Sequence, residues 1–175
     1  MTAAPLSVRA ATPADLPALH ALIERAYRSS DGTPGWTHEG HLFDGPRTNL
    51  AALELMIAER GQYILMHEAD GMALACVLVA ANGTRIGYLG LLCVDPFAQA
   101  TGLGRRLIAA AEREAVARFA ATRMEMTVID ARTDLIAWYQ RRGYAPTGEV
   151  RPLPDSVGSA RRSLNLVVLA KALPA

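Results

Sequence analysis

The sequence contains little lysine, few aromatic residues and no long hydrophobic run. Lys171 is the only lysine among 18 basic residues, and 17 acidic residues bring the formal net charge to +1. A nearly neutral chain has no long-range field to attract nucleic acid or an anionic membrane, so neither partner is expected. No apolar stretch approaches the roughly 20 residues that a spanning helix needs. The N-terminus has no charged segment followed by an apolar one, so we expect a cytoplasmic protein without a signal peptide.

Cysteine is also scarce and gives no sign of a metal site. The chain has two cysteines, Cys76 and Cys93, and both lie within apolar runs. Such isolated cysteines are typical of buried, reduced thiols. Their spacing matches neither a zinc motif nor a disulfide framework, so we expect no metal ion.

The composition that remains is typical of one globular domain. The chain has 175 residues, of which 51% are hydrophobic and 20% are charged. This length supports a single core, so residues 1–175 are treated as one domain. Nothing in the sequence decides the oligomeric state, and a homodimer remains open.

Hydrophobic periodicity predicts a mixed α/β fold with about seven strands and four helices. The turn signals Asp70-Gly71 and Asn82-Gly83 separate the early strands, so three antiparallel strands are expected in succession. Strands are expected at 6–10, 62–68, 72–81, 85–94, 123–130, 144–150 and 163–170. Helices are expected at about 12–27, 47–60, 103–120 and 133–142. A loop or a broken helix is expected at 30–45, and a polar loop at 152–162.

One segment carries a motif for chemistry. The fourth predicted strand ends at Val94-Asp95-Pro96, and a turn with Gly102 and Gly104 leads into the longest predicted helix. The first turn of a helix has free N–H groups and a positive dipole end, so it can bind phosphate. Glycine lets the backbone approach such a ligand closely.

Two nucleotide-binding motifs do not fit this turn. A P-loop has Gly-Lys followed by Ser or Thr, whereas Gly104 is followed by Arg105 and Arg106. A dinucleotide-binding fingerprint has a third glycine, where this chain has Leu107. The turn is therefore neither of these motifs.

The turn instead resembles a known phosphate-binding loop. The pattern Gln99-x-x-Gly102-x-Gly104 after that strand is similar to the acyl-CoA pyrophosphate loop of the GNAT-type N-acetyltransferase superfamily. The segment 135–144, which ends in Tyr139-Gln140-Arg141-Arg142-Gly143-Tyr144, resembles the last helix of that family. With the order of elements, the resemblance covers most of residues 6–170 and implies an acetyl-CoA-dependent N-acetyltransferase.

The resemblance also implies how acetyl-CoA is held. The sheet should splay between its fourth and fifth strands, and the pantetheine arm should lie in the gap beside residues 91–94. The pyrophosphate should rest on backbone N–H groups of residues 100–105. The implied cofactor-binding residues are Leu92, Cys93, Val94, Gln99, Ala100, Thr101, Gly102, Leu103, Gly104 and Arg105.

Two further positions follow from the resemblance. Tyr139 stands where the family often places a phenol near the CoA sulfur, so it is the candidate catalytic residue; the alternative is a packed aromatic residue at a helix end. Arg132 stands where many members have an asparagine that contacts the cofactor. Arg132 is therefore either a cofactor or substrate ligand or a solvated residue.

The amine acceptor is expected near the segment between the first two helices, because this segment lines the acceptor pocket in the family. It concentrates polar residues, and the fourth strand has no carboxylate to serve as a base. The candidate substrate-binding residues are Trp36, His38, Glu39, His41, Asp44 and Arg47. The alternative is a solvated loop with Trp36 as its anchor.

Three functions remain open from the sequence. The polar loops at 30–45 and 152–162 favour an enzyme that closes over a small-molecule amine. An acetyltransferase for protein N-termini or lysines is the first alternative, and it would need an open groove. A non-catalytic acyl-CoA-binding module is the second, and the presence of Tyr139 argues against it.

Overall fold

The computed structural model describes residues 7–28 and 35–174. Its main sheet has seven strands in the order β1-β3-β4-β5-β6-β9-β7, and a separate sheet pairs β2 with β8. The strands are β1 (Val8–Ala10), β2 (Phe43–Asp44), β3 (Gln62–Ala69), β4 (Met72–Ala81), β5 (Ile86–Val94), β6 (Arg123–Ile129), β7 (Ala145–Pro152), β8 (Ser159–Ala160) and β9 (Asn165–Ala172). The helices are α1 (Leu16–Arg28), α2 (Leu50–Ala58), α3 (Leu103–Phe119) and α4 (Thr133–Gln140).

The early strands form the predicted antiparallel meander. Asp70 and Gly71 join β3 to β4 with φ angles of 52° and 75°. Two successive left-handed residues match the twist of a tight hairpin, which explains the Asp-Gly pair at this point. The seven strands of the main sheet and the four helices confirm the predicted fold class, with the ends of elements shifted by a few residues.

The sheet separates two hydrophobic layers. In β3, Leu65 packs with the α3 residue Leu107, whereas Ile64 and Met66 pack with the α1 residue Leu22. Alternate side chains of a strand point to opposite faces, so one strand contributes to both layers. The sheet is therefore held rigidly between α3 on one face and α1 on the other.

The main sheet splays between β5 and β6, its fourth and fifth strands in sequence. These parallel strands pair only from Ile86 opposite Arg123 to Tyr88 opposite Glu125. The pairing of β5 with β4 also shifts register, and Leu91 has a φ of 50°. A bulge of this kind bends a strand and changes the direction of its backbone groups. The remainder of β5 therefore borders an opening in the sheet, as predicted.

The two segments predicted without strands contain a short pair of strands. Phe43 and Asp44 pair antiparallel with Ala160 and Ser159, so β2 and β8 join the segments predicted as loops at 30–45 and 152–162. Two-residue strands are too short to show a hydrophobic period, which is why the sequence did not reveal them. Residues 29–34 of the first loop lie outside the described part of the chain.

The second helix begins later than predicted. Asn49 is its N-cap, and the Asn49 side chain accepts a hydrogen bond of 2.8 Å from the Ala52 amide. Arg47 therefore precedes α2 and is not one of its residues. This position leaves the Arg47 side chain available to the site described below.

Candidate active site

A pocket lies at the N-terminus of α3, and we call it the α3 pocket. Gly102 is the N-cap of α3 with a φ of 81° and no side-chain cap, and Ala100 is also left-handed with a φ of 64°. The first N–H groups of the helix lack helical partners, and an arrangement of this kind can bind an anion. The pocket has a volume of about 350 Å³. It is lined by Trp36, Val94, Ala98, Gln99, Ala100, Gly102, Leu103, Gly104, Arg105, Trp138 and Arg142.

Positive charge is concentrated at this pocket. The guanidinium of Arg142 lies 3.3 Å from the centre of the Trp138 ring, and its buried Nε has no hydrogen-bond partner. Burial lowers the pKa of Arg142, and the charges of Arg141 and Arg105 lower it further. An anion in the pocket would relieve this repulsion between the arginines. The residues present therefore fit a phosphate group.

Two tryptophans form one wall of the α3 pocket. Trp36 stacks on Trp138 with ring centroids 4.7 Å apart. A Cβ atom added to Gly104 would lie 3.2 Å from the Trp36 ring and 3.5 Å from the Trp138 ring. A side chain at position 104 would therefore crowd these two rings, which favours glycine there. Trp36, a candidate acceptor-binding residue, thus lines the α3 pocket and not the cavity between β5 and β6 that is described below.

The side chain of Gln99 connects this pocket to β5. Its Oε1 accepts a hydrogen bond of 3.3 Å from the Trp36 amide, and its Nε2 donates one of 3.4 Å to the Val94 carbonyl. Asp95 fixes the preceding turn because it is buried and ion-paired to Arg25 at 2.7 Å. The turn is therefore held in place without a ligand.

A second cavity occupies the opening between β5 and β6, and we call it the gap cavity. It has a volume of about 240 Å³. Its β5 wall includes residues 88–92, and its β6 wall includes residues 126–129. Tyr139, Arg132, Glu39 and Arg47 also line it. The fold thus brings the candidate catalytic residue and two candidate acceptor-binding residues together.

The amides of β5 are oriented by fixed contacts. The Asp95 amide donates to the Leu74 carbonyl of the neighbouring chain segment at 2.8 Å. Because successive residues of a strand direct their amides to opposite edges, the Val94 amide faces the opening. The Tyr27 hydroxyl donates to the Leu92 carbonyl at 2.8 Å, so α1 supports the strand beside the bulge.

Tyr139 is buried at the wall of the gap cavity, with 6% of its surface exposed. Burial, and to a lesser degree Tyr88, raises the pKa of its phenol well above the ordinary value. No hydrogen bond joins its hydroxyl to any residue in the described ranges. The phenol is therefore protonated at neutral pH and free to donate to a ligand.

Arg132 is buried and tied to the acceptor segment. It donates to the carbonyls of Trp36 and His38, the latter at 3.1 Å, and it is ion-paired with Asp134 at 3.3 Å. It is only 6% exposed, so the alternative of a solvated Arg132 is wrong. Its contacts fix the segment 36–38 against α4, and its remaining surface lines the gap cavity.

Arg28 is bonded to a chain segment that borders the gap cavity. Its guanidinium donates to the carbonyls of Gly45 at 3.2 Å and Val157 at 2.7 Å, and to the Glu39 carboxylate at 3.1 Å. Its side chain is only 8% exposed. We call residues 153–157 the roof segment, because four of them line the cavity from above. Arg28 and the β2–β8 pairing keep this segment closed.

The other predicted site residues lie elsewhere. Asp44 is exposed and ion-paired with Arg161 at 2.9 Å, so it joins the two loops outside the gap cavity. His38 and His41 border a separate shallow pocket, and their rings lie 6.2 Å apart. Cys93 is buried on the α1 side, 3.5 Å from the sulfur of Cys76, and it lines neither pocket. The Thr101 hydroxyl donates to the Ala98 carbonyl at 2.7 Å and does not line the α3 pocket.

Several residues that line the two pockets were not predicted from the sequence. Trp138 and Arg142 line the α3 pocket, and Thr37, Tyr88 and the roof segment line the gap cavity. Trp138 and Arg142 were detectable, because they flank Tyr139 in the second motif. The others come from distant parts of the chain, and no local spacing links them.

The structure offers no metal site or membrane helix in its described ranges. Among residues 7–28 and 35–174, no three His, Cys, Asp or Glu side chains are grouped so that they could hold a metal ion. In the same ranges, no helix is both long and apolar enough to cross a bilayer.

Comparison with known proteins agrees with this geometry. The family model described as acetyltransferase (GNAT) family matches residues 17–144. No curated protein sequence is significantly similar to the chain.

Several solved structures share the fold. The ribosomal-protein-S18-alanine N-acetyltransferase from Escherichia coli has a TM-score of 0.69 at 18% identity, over 98% of this chain and 96% of that one. An acetyltransferase of the GNAT family from Streptococcus pneumoniae has a TM-score of 0.68 at 20% identity, over 97% and 100%. Nourseothricin acetyltransferase has a TM-score of 0.67 at 21% identity, over 96% and 98%. The first and the third of these proteins are named for different acceptors, so these structures show the fold and not the acceptor.

Proposed function

Because this chain belongs to the acetyltransferase (GNAT) family, we propose that it transfers an acetyl group from acetyl-CoA to the primary amine of a small molecule. The observation that carries the proposal is the covered gap cavity. Its volume of about 240 Å³ suits a small acceptor. A peptide in extended conformation needs an open groove, whereas four residues of the roof segment line this cavity.

The two pockets support simultaneous binding of both substrates. The pyrophosphate of acetyl-CoA would bind the N–H groups of Gly102 to Arg105, with Arg142 as an additional cation. The pantetheine arm would run along β5, where the Val94 amide faces the opening. Val94 lines the α3 pocket and the neighbouring Leu92 lines the gap cavity, so the thioester would enter the gap cavity beside Tyr139.

Acetyl transfer then follows from direct attack. The amine nitrogen forms a bond to the carbonyl carbon, and the carbon–sulfur bond breaks. The Val94 amide would polarise the carbonyl oxygen, and the Tyr139 phenol would donate a hydrogen bond to the departing sulfur. The amine must lose a proton, which at pH 7 costs roughly 4.6 kcal/mol for an amine with a pKa near 10.4.

Glu39 is the candidate acceptor of that proton. It is the one acidic side chain among the residues that line the gap cavity in the described part of the chain. One carboxylate oxygen is engaged by Arg28, and the other has no hydrogen bond to the described residues. The second oxygen is therefore available to an ammonium group or to a water molecule that it holds.

A panel assay tests the proposal. Purified protein is incubated with acetyl-CoA and either small primary amines or peptides with free N-termini and lysines, and release of free thiol is measured. We expect acceptor-dependent thiol release with small amines above the rate of acetyl-CoA hydrolysis without acceptor. Release with peptides and with no small amine would refute the small-molecule proposal.

A further inference from the structure

Arg47 lines the gap cavity, and its guanidinium forms no salt bridge in the described part of the chain. Its buried Nε has no hydrogen-bond partner, and its guanidinium lies 5.1 Å from the centre of the Tyr27 ring. Among the described residues, no carboxylate forms an ion pair with it. Arg47 is half-buried, and it lines the cavity wall while its Nε lies out of solvent. A partly desolvated cation without an anion beside it favours a ligand that supplies the anion.

The other charges of the cavity are already neutralised. Glu39 is paired with Arg28 at 3.1 Å, and Arg132 is paired with Asp134 and bonded to two carbonyl groups. Among the described residues that line the cavity, the guanidinium of Arg47 is therefore the one charge without an opposite charge in contact with it. Arg47 does not line the α3 pocket, so the phosphates of the cofactor are not its partner.

The position of Arg47 relates this charge to the reaction. The Tyr27 ring lies beneath the guanidinium, and the Tyr27 hydroxyl is bonded to the Leu92 carbonyl on β5. The backbone amides of Arg47 and Thr48 donate to the Glu24 carboxylate at 2.8 Å and 2.9 Å, which fixes the start of the side chain. Arg47 is thus anchored one aromatic ring away from the strand beside which the thioester would lie.

We propose that the acceptor is an amine that also carries a carboxylate, such as a free amino acid, and that Arg47 binds this carboxylate while Glu39 receives the ammonium group. This inference rests on the proposed function and specifies its substrate class. A guanidinium binds a planar carboxylate through two parallel hydrogen bonds, which a single point charge does not reproduce. The carboxylate of such an acceptor would pair with Arg47, and its ammonium group would reach the Glu39 carboxylate oxygen that Arg28 does not engage.

Matched acceptor pairs test the inference. Amino acids are compared with their decarboxylated amines, for example leucine with isopentylamine and phenylalanine with phenethylamine, in the thiol-release assay. Wild type is compared with Arg47→Met, Arg47→Lys and the exposed-site control Arg60→Met. Melting curves and the affinity for acetyl-CoA report whether each variant is folded.

We expect wild type to prefer the carboxylated member of a pair by at least about tenfold in kcat/KM. Arg47→Met should raise the KM of the carboxylated member about 10- to 100-fold and leave the simple amine nearly unchanged. Arg47→Lys should restore part of the loss, and Arg60→Met should behave like wild type.

The results separate this inference from the proposed function. Acetylation of both members without preference, or equal losses for both in Arg47→Met, would overturn the inference and leave the small-molecule function standing. Acetylation of peptides and of neither small member would overturn both.

Discussion

Replacing Tyr139 with phenylalanine should impair the chemical step and little else. The substitution keeps the buried ring, which packs edge-on against Trp138 at 5.1 Å and against Tyr144 at 6.1 Å. No hydrogen bond to the described residues is lost with the hydroxyl. The free energy of unfolding should therefore change by less than about 1 kcal/mol. An interaction made chiefly as charge develops on sulfur lowers kcat without weakening binding in the ground state.

The raised pKa of Tyr139 sets the size of the effect. Loss of a positioned proton donor usually costs about 10²–10⁴ in rate. A phenol with a pKa above 10 transfers its proton to a thiolate of pKa about 8.5 only uphill, by more than roughly 2 kcal/mol. The phenol therefore acts mainly by hydrogen bonding, for which water can partly substitute. We expect kcat to fall roughly 10- to 10³-fold, or about 1.4–4 kcal/mol in activation free energy.

The assay is steady-state kinetics with a saturating acceptor, together with acetyl-CoA affinity and a melting curve. Tyr63→Phe is the matched control, because Tyr63 lies on β3 against Phe119, away from both pockets. The phenol is active while protonated and keeps its proton below its raised pKa, so the ratio of wild-type to variant kcat should stay constant from about pH 7 to 9. Full kcat in Tyr139→Phe would show that Tyr139 only packs, and weak cofactor binding with normal kcat would make it a binding residue.

Three further outcomes are expected. Gly102→Glu should reduce the acetyl-CoA affinity measured by calorimetry more than 100-fold, because the new carboxylate occupies the phosphate site. The control Gly148→Glu, at a φ of 88° with nothing nearby, should bear the same backbone strain and bind acetyl-CoA normally. Equal affinities in the two variants would contradict pyrophosphate binding at the N-terminus of α3. Glu39→Gln should lower kcat/KM for the acceptor at least tenfold with acetyl-CoA affinity intact. The control Asp44→Asn, at an exposed position, should have kinetics near those of wild type. Similar kinetics in both variants would mean that Glu39 has no role in the reaction. Arg28→Ala should lower the melting temperature by several degrees and raise the acceptor KM, because the change frees the roof segment and leaves Glu39 unpaired. An unchanged melting curve would show that Arg28 does not hold the roof segment in place.

The sequence predicted the fold well because the signals that determine it are local. The Asp70-Gly71 turn, the strand that ends at Val94 and the glycine turn before α3 are each visible within a few residues. The same holds for the α3 pocket, whose glycines and Arg105 are contiguous. Local signals of this kind can be recognised in the sequence without any knowledge of tertiary contacts.

The acceptor side was predicted less accurately because it is assembled from distant segments. Six residues were proposed from one stretch of sequence, but only Glu39 and Arg47 of these line the gap cavity. A polar side chain in a loop has no periodicity that shows which way it points. Asp44 faces solvent because β2 pairs with β8, a contact between residues more than 110 positions apart in the chain.

The tryptophan stack beside Gly104 gives the protein an internal optical probe. The chain has two tryptophans, and Trp36 and Trp138 are both in that stack, so its indole fluorescence originates at one place. No other indole contributes a background signal. Occupation of the α3 pocket would change the polarity and quenching around both rings at once. Emission intensity should therefore follow cofactor occupancy directly in the unlabelled wild-type protein, without an engineered reporter.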